Sequence, residues 1–232
     1  MKRIVLKLSG EALANGSGDL YDNAFVDKVA AAVKECTELG YEIALVVGAG
    51  NIWRGRQGGE MDRTAADRMG MLATVINAIC LKDALVRQGK EAVVMTAVPM
   101  APLADVYSAE AAKAALTAGK VVIFGSGLGI PFLSTDTTGA VRAAEIEADA
   151  MLMAKNVDYI YTADPRLDPN AKKLERVKAS EVLALNLKAI DATATAFCLS
   201  TGMPIYVFGL KDPRDIVRAV TGESVGTVIT AE

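Results

Sequence analysis

Residues 43–51, IALVVGAGN, join an uninterrupted apolar run to a loop that contains two glycines. An apolar run without polar alternation is typical of a strand covered on both faces, as in a parallel sheet. Residues 3–10, RIVLKLSG, have the same arrangement, because a β-branched and leucine-rich run ends at a Ser-Gly turn. Both segments therefore predict buried strands that end in loops able to approach a ligand.

Helical and strand patterns alternate on both sides of these segments. One predicted helix begins at Asp22 or Asn23, buries one face and ends at Gly40. Further helices are predicted over 64–87, 108–118, 137–148, 191–201 and 213–220. Further strands are predicted over 92–95, 121–124, 150–153, 159–161, 205–208 and 227–230. This alternation predicts an α/β fold, a three-layer α/β/α sandwich with a mainly parallel central sheet, built as a single domain over residues 1–232.

Composition excludes several classes of protein. The chain has no histidine, which excludes Ser-His and Cys-His catalytic pairs and zinc sites of the histidine type. Its net charge of −3, with acidic and basic residues intermixed, predicts no nucleic-acid partner. No apolar run reaches the roughly 18 residues of a membrane span, and the N-terminus is typical of a strand rather than a signal peptide. Three scattered cysteines indicate reduced thiols, and we expect a cytoplasmic protein without a membrane partner.

Glycine-bearing loops follow three of the predicted strands, at Ser9-Gly10, Gly48–Asn51 and Gly125–Gly129. Glycine lets the backbone come close to a ligand, and free amides at helix starts bind anions. Three such loops at equivalent positions of one sheet indicate a polyphosphate cradle. The P-loop pattern is absent, and no Gly-x-Gly-x-x-Gly follows the first strand, so the cradle is of another kind.

Several side chains near these loops have both a structural and a functional interpretation. Lys7 is either a surface lysine or, as we favour for a covered strand, a cation facing a ligand. Arg54 is either an ordinary loop arginine or a phosphate ligand. Asp67 could simply pair with Arg63 one helical turn away. The hydroxyls at 134–135 could cap a helix, bind a substrate, or do both.

Six segments together resemble the amino-acid kinase family over essentially the whole chain. They are KLSGEAL at 7–13, VVGAGNIWRG at 46–55, ADRMGMLATVINA at 66–78, PFLSTD at 131–136, RAAEI at 142–146 and YTADP at 161–165. The second part of this set, DRMGML with PFLSTD, resembles the bacterial-type uridylate kinases within that family. The resemblance implies transfer of the γ-phosphoryl group from ATP to UMP, Mg²⁺ bound with ATP, no metal site of the protein's own, and a homohexamer.

The resemblance also implies site residues. The catalytic set would be Lys7, Arg54 and Asp136. The ATP site would comprise Lys7, Leu8, Ser9, Gly10, Gly50, Arg54, Asn156, Tyr161 and Asp164. The UMP site would comprise Ala49, Asp67, Leu128, Gly129, Ile130, Pro131, Phe132, Leu133, Ser134 and Thr135. These assignments suit phosphoryl transfer, which depends on alignment and charge neutralisation more than on a covalent catalyst.

The sequence departs from the family pattern at Ala49, where the family usually has glycine, and the extra methyl fits only if φ there is negative. Ile130 and Leu133 replace an asparagine and an aromatic residue. Two alternatives remain open: a kinase of the same fold that acts on carbamate or an acyl carboxylate, and a non-catalytic storage or regulatory member.

Overall fold

The computed structural model describes residues 2–16, 18–53, 59–163, 167–187 and 190–231. Eleven strands occur in these ranges: β1 (Arg3–Leu8), β2 (Glu42–Val47), β3 (Ala92–Thr96), β4 (Asp105–Val106), β5 (Val121–Gly125), β6 (Ala150–Lys155), β7 (Ile160–Tyr161), β8 (Lys173–Leu174), β9 (Arg176–Lys178), β10 (Ile205–Gly209) and β11 (Gly226–Thr230). Nine of them form one sheet in the order β4-β3-β5-β2-β1-β6-β10-β11-β9. The strands pair in parallel except for β10 with β11, so the mainly parallel sheet is confirmed.

The strand register places the predicted ligand loops at one edge of the sheet. Leu8 at the end of β1 pairs with Val47 of β2 on one side and with Ala154 of β6 on the other. Val46 pairs with Phe124 of β5, so the third glycine loop leaves the sheet beside the second. In open parallel sheets ligands bind beyond the carboxyl ends of the strands, which is the edge where these loops meet.

Helices cover both faces of the sheet: α1 (Gly10–Ala14), α2 (Asn23–Glu38), α3 (Arg63–Arg87), α4 (Ala109–Thr117), α5 (Thr135–Glu145), α6 (Ala179–Ala184), α7 (Ala192–Thr201) and α8 (Arg214–Val220). Ile4, Leu6 and Leu8 of β1 pack with α2, α3 and α8 on one side. Val5, between them in the sequence, packs with α4, α5 and α7 on the other. Alternate residues of one strand thus enter two apolar cores, which confirms the three-layer arrangement.

Side-chain caps explain where the helices begin. Asp22 accepts a hydrogen bond from the amide of Phe25, so α2 begins at Asn23 as expected. Ser134 accepts from the amides of Asp136 and Thr137, which starts α5 two residues before the predicted position.

The predicted strand at 159–161 is outside the main sheet, because Ile160–Tyr161 instead forms an antiparallel hairpin with Lys173–Leu174. Its two-residue strands are too short for periodicity to reveal their partner.

By length and composition alone, α3 is apolar enough to cross a membrane, with a mean hydropathy of 1.6 in its best window. In the structure, Ala73, Ala78 and Leu81 of this helix are buried against the rest of the molecule. A core helix of a globular fold passes the same test, so the criterion is weak evidence for a membrane span.

Candidate active site

A buried ion triad is located at the ligand edge of the sheet. The Lys7 ammonium lies 2.7 Å from Asp136 Oδ1, and the Lys155 ammonium lies 2.7 Å from Asp136 Oδ2. Lys7 and Lys155 come from neighbouring parallel strands, β1 and β6, and Asp136 lies in the first turn of α5. Only 7% of Lys7 is exposed, so the surface-lysine interpretation is wrong.

The charges of the triad stabilise one another. Burial alone would raise the pKa of Asp136, but the adjacent Lys7 and Lys155 outweigh it and lower that pKa below its ordinary value. Burial lowers the pKa of Lys155, and the carboxylate of Asp136 opposes that shift. Asp136 therefore holds two ammonium groups in place at the sheet edge, where an anionic substrate would meet them.

Asp191 connects two helix N-termini beside the triad. One of its carboxylate oxygens accepts hydrogen bonds from the hydroxyls of Ser134 and Thr137, the latter at 2.7 Å. The other oxygen accepts from the amides of Thr193 and Ala194 and so caps α7. Burial raises the pKa of Asp191, but these hydrogen bonds lower it overall, so the carboxylate stays charged. Ser134 itself accepts hydrogen bonds from the amides of Asp136 and Thr137, which confirms its capping interpretation, while a contact of Ser134 with substrate stays a prediction.

A large cavity opens beside these groups, with a volume of about 950 Å³. Its wall includes Asp136, Lys155, Asp191 and the predicted UMP-site residues Phe132 and Ser134. A smaller cavity of about 130 Å³ adjoins it and shares Asp67, Leu133 and Thr135 with it. The smaller cavity is also lined by Ala49, Leu128, Ile130 and Pro131. The structure thus brings nine of the ten predicted UMP-site residues to two adjoining cavities, and Gly129 lies in the same loop.

Asp67 joins the long helix α3 to this loop. Its carboxylate accepts from the Arg63 guanidinium at 2.8 Å and from the backbone amide of Phe132, also at 2.8 Å. The pKa of Asp67 would be raised by partial burial, but both hydrogen bonds lower it. The ion pair with Arg63 that the sequence left open is present, and the bond to Phe132 shows that Asp67 also positions the loop.

The first two glycine loops touch each other beneath the cavities. A Cβ at Gly10 would lie 2.4 Å from the carbonyl oxygen of Gly48 and 2.7 Å from the amide nitrogen of Gly50, so a side chain there is excluded. Ala49 is not among the residues with positive φ, so its methyl group meets the condition set by the sequence. A Cβ at Gly50 would lie 3.1 Å from the side chain of Glu11, a residue to which the sequence analysis assigns no role.

The predicted ATP-nucleoside residues lie farther along the same edge. Asn156 follows Lys155 directly and donates a hydrogen bond to Glu11 at 3.0 Å. Tyr161 lies in the β7–β8 hairpin, where its hydroxyl donates to Asp158 at 3.0 Å. Arg54 and Asp164, also assigned to the nucleotide, lie outside the described residues. Leu8 ends β1 and Ser9 is the N-cap residue of α1, as expected for the phosphate loop.

Sequence reasoning missed Lys155, Asp191 and Glu11. Lys155 ends an apolar strand in the way that Lys7 nearly ends β1, so the same reasoning could have found it. Asp191 carried only a helix-cap signal, and nothing in the sequence places it beside Ser134. Among the described residues, no cluster of three or more acidic or cysteine side chains is arranged to hold a metal ion.

Comparison with known proteins decides the family. The sequence model of the amino acid kinase family matches residues 2–209. The chain belongs to the amino acid kinase family. Among solved structures, a UMP kinase from Bacillus anthracis is similar over 100% of this chain and 96% of its own, with 36% identity and a TM-score of 0.95.

Two further kinase structures are similar over the full chain. A UMP kinase from Ureaplasma parvum has 36% identity and a TM-score of 0.93, covering 99% of this chain and 98% of its own. A uridylate kinase from Archaeoglobus fulgidus has 29% identity and a TM-score of 0.76, covering 99% of this chain and 100% of its own. The amino acid kinase fold expected from the sequence is therefore confirmed.

Proposed function

We propose that this amino acid kinase is a UMP kinase, which transfers the γ-phosphoryl group of ATP to UMP and yields ADP and UDP for pyrimidine nucleotide synthesis. The observation that carries the proposal is the full-length similarity to a UMP kinase at 36% identity and a TM-score of 0.95. We also propose that residues 1–232 form one kinase domain, because the similarity extends over 100% of this chain.

The ion triad suits the chemistry of phosphoryl transfer. The transferring group carries charge on three equatorial oxygens, and catalysis consists of alignment and charge stabilisation. Lys7 is the buried cation at the phosphate loops, and Arg54 would add a second cation from the following loop. Asp136 contributes by fixing Lys7 and Lys155 at 2.7 Å each, so that neither must reorganise when the substrate arrives.

The two nucleotides would occupy different parts of the edge. The phosphates of ATP would lie over Ser9, Gly10 and Gly50, where the backbone allows close approach, and its nucleoside would lie towards Asn156, Tyr161 and Asp164. UMP would bind in the two adjoining cavities, with its ribose at Asp67 and its base against the loop from Leu128 to Thr135. This arrangement brings both phosphate ends towards Lys7.

Mg²⁺ would arrive with ATP. The described residues offer no ready-made acidic cage, and Mg²⁺ is commonly bound through substrate phosphates with one or two carboxylates. When bound there it would neutralise charge on the phosphates.

The thiols of Cys36 and Cys198 are free and buried, which fits the reducing cytoplasm that we propose as the site of action.

Asp67→Asn is expected to raise the KM for UMP by about tenfold and to leave the KM for ATP nearly unchanged. The amide keeps the size of the side chain but loses charge-assisted acceptance from the ribose hydroxyls. Steady-state kinetics with each nucleotide varied in turn would measure both constants. If only the KM for ATP rose, Asp67 would contact ATP and not UMP, and this assignment would be wrong.

We also propose that the chain assembles through α3, as a homohexamer. Met69, Leu72, Ile76 and Ile79 are exposed on this helix at spacings of three and four residues, so they form one apolar stripe. Such a continuous stripe is unusual on a monomer. Light scattering at micromolar concentration should show an oligomer of six chains, and Ile76→Glu should break it into smaller species. A fully active monomer would refute this assembly.

The function itself is tested by an acceptor panel. Release of ADP from Mg-ATP would be followed with UMP, CMP, dUMP, carbamate and acetylglutamate under identical conditions. We expect UMP to give the highest kcat/KM. Preference for carbamate or acetylglutamate would assign the chain to another kinase of the fold, and no turnover with any acceptor would support a non-catalytic member.

A further inference from the structure

Asn77 is a fully buried polar residue in the middle of α3. A buried amide is costly unless its hydrogen-bonding groups are satisfied. Asn77 lies where α3 passes beneath the loop from Gly48 to Asn51, at the ligand edge of the sheet. The sequence gives it no evident role, since it appears only as a polar interruption of an apolar helix.

Every hydrogen-bonding group of the Asn77 side chain has a partner. Its Nδ2 donates to the carbonyl oxygen of Gly48 at 2.7 Å and to Asn51 Oδ1 at 2.8 Å. Its Oδ1 accepts from the Tyr21 hydroxyl at 2.7 Å and from Asn51 Nδ2 at 3.2 Å. The orientation of the amide is therefore fixed, because a 180° flip would place the Asn77 Oδ1 against the carbonyl oxygen of Gly48, and neither atom can donate a hydrogen bond.

The bond to Gly48 determines how the glycine loop faces the substrate. In a trans peptide the C=O and the following N–H point in opposite directions. Since the Gly48 oxygen is held towards Asn77, the amide of Ala49 points away from α3. Within the described ranges, no hydrogen bond uses the backbone amides of Ala49 or Gly50. Amides left free in consecutive loop residues form an anion-binding concavity.

Asn51 extends the same hydrogen-bond network to the segment that precedes α2. Its Nδ2 donates to the carbonyl oxygen of Leu20 at 2.9 Å, in addition to its bonds with Asn77. Tyr21, the next residue, donates to Asn77, and burial raises the pKa of its phenol to about 12, so the hydroxyl remains a donor at physiological pH. The loop is thus held from two sides by groups that do not themselves face the cavities.

We propose that Asn77 is a positioning residue for phosphoryl transfer, which orients the Gly48–Asn51 loop so that its free amides bind substrate phosphate. The inference rests on the proposed kinase function and adds how one loop of the same active site is held in place. Asn77 acts through the loop rather than by contact with a nucleotide.

The test compares Asn77→Leu with Leu81→Ala. Leu has a similar volume but cannot hold Gly48 or Asn51, and we expect kcat with UMP to fall by about ten- to a hundredfold, as misplacement of a binding group typically does. Leu81 lies one turn further on the same helix, is 1% exposed and packs in the apolar core. Leu81→Ala should lower Tm but keep kcat within about twofold, well below its Tm. A kcat for Asn77→Leu equal to that of Leu81→Ala would overturn the proposal.

Two further measurements keep the result decisive. If Asn77→Leu does not fold, Tyr21→Phe removes a single hydrogen bond from the network and should still lower kcat by about two- to fivefold, whereas an unchanged kcat would overturn the proposal.

Measuring ATP binding by calorimetry tests the role of Asn77 separately from the proposed kinase function. If the wild type makes no UDP, the kinase assignment fails, and the role of Asn77 is then judged by whether Asn77→Leu weakens ATP binding about tenfold while Leu81→Ala does not.

Discussion

Lys7→Ala is expected to lower kcat by about a hundredfold or more, with a smaller change in the KM of either nucleotide. Lys7 is a buried cation 2.7 Å from Asp136, at the point where β1 opens into the phosphate loop. The ammonium charge stabilises the transition state, in which charge is redistributed, more than it stabilises the bound substrates. Removing Lys7 therefore lowers kcat more than it weakens substrate binding. Steady-state kinetics with UMP and Mg-ATP at saturation would measure the effect.

Lys7→Met is the matched control for packing. Methionine keeps an unbranched side chain in the same buried space but removes the ammonium group. Both variants should lose kcat to the same extent, and the methionine variant should melt at the higher temperature. Near-normal kcat in either variant would contradict a catalytic role for Lys7 and would leave it as a structural member of the ion triad.

Asp136→Asn is expected to destabilise the fold by about 3–5 kcal/mol and to abolish most activity. The substitution leaves Lys7 and Lys155 as two like charges without the carboxylate that both contact at 2.7 Å. Chemical denaturation at near-neutral pH would measure the loss. Asp27→Asn is the matched control, because the Asp27 and Arg87 side chains that form this ion pair are about half exposed and water screens their charges, and we expect a much smaller loss of stability there.

The destabilisation should depend on pH in a defined direction. The folded-state pKa of Asp136 is lowered, despite burial, by Lys7 and Lys155. The stabilisation it provides is therefore present above its unfolded pKa of about 3.9 and is lost as the pH falls through the lower folded value. The stability gap between wild type and Asp136→Asn should be constant from neutral pH down to about pH 5 and shrink below about pH 4. A gap that widens on acidification would contradict this assignment.

The sequence predicted the sheet because its strands carry their own signals. Residues 43–47 are apolar without alternation, and β2 is buried along nearly its whole length as expected. The helix beginning at Asn23 was found because Asp22 is a recognisable cap. Short elements such as β7 and β8 were misplaced or missed, because two residues contain no period and only tertiary contacts decide their partner.

The candidate site was predictable where a residue sits in a glycine loop or ends a strand. Lys7 and Gly10 carry such signals, and the structure places them at the expected edge. Asp191 and Asn77 do not, because their importance comes from residues 57 and 29 positions away, Ser134 and Gly48. Contacts of that sequence separation depend on how the helices pack, which no local pattern encodes.

Transfer of label from γ-phosphate-labelled ATP tests the central claim most directly. The purified chain would be incubated with labelled Mg-ATP and UMP, and the products would be separated. We predict that the label appears in the β-phosphate of UDP, in amounts equal to the ADP formed, and that Lys7→Met forms almost none. Label released only as inorganic phosphate, or ADP formed equally without UMP, would contradict the assignment of this chain as a UMP kinase.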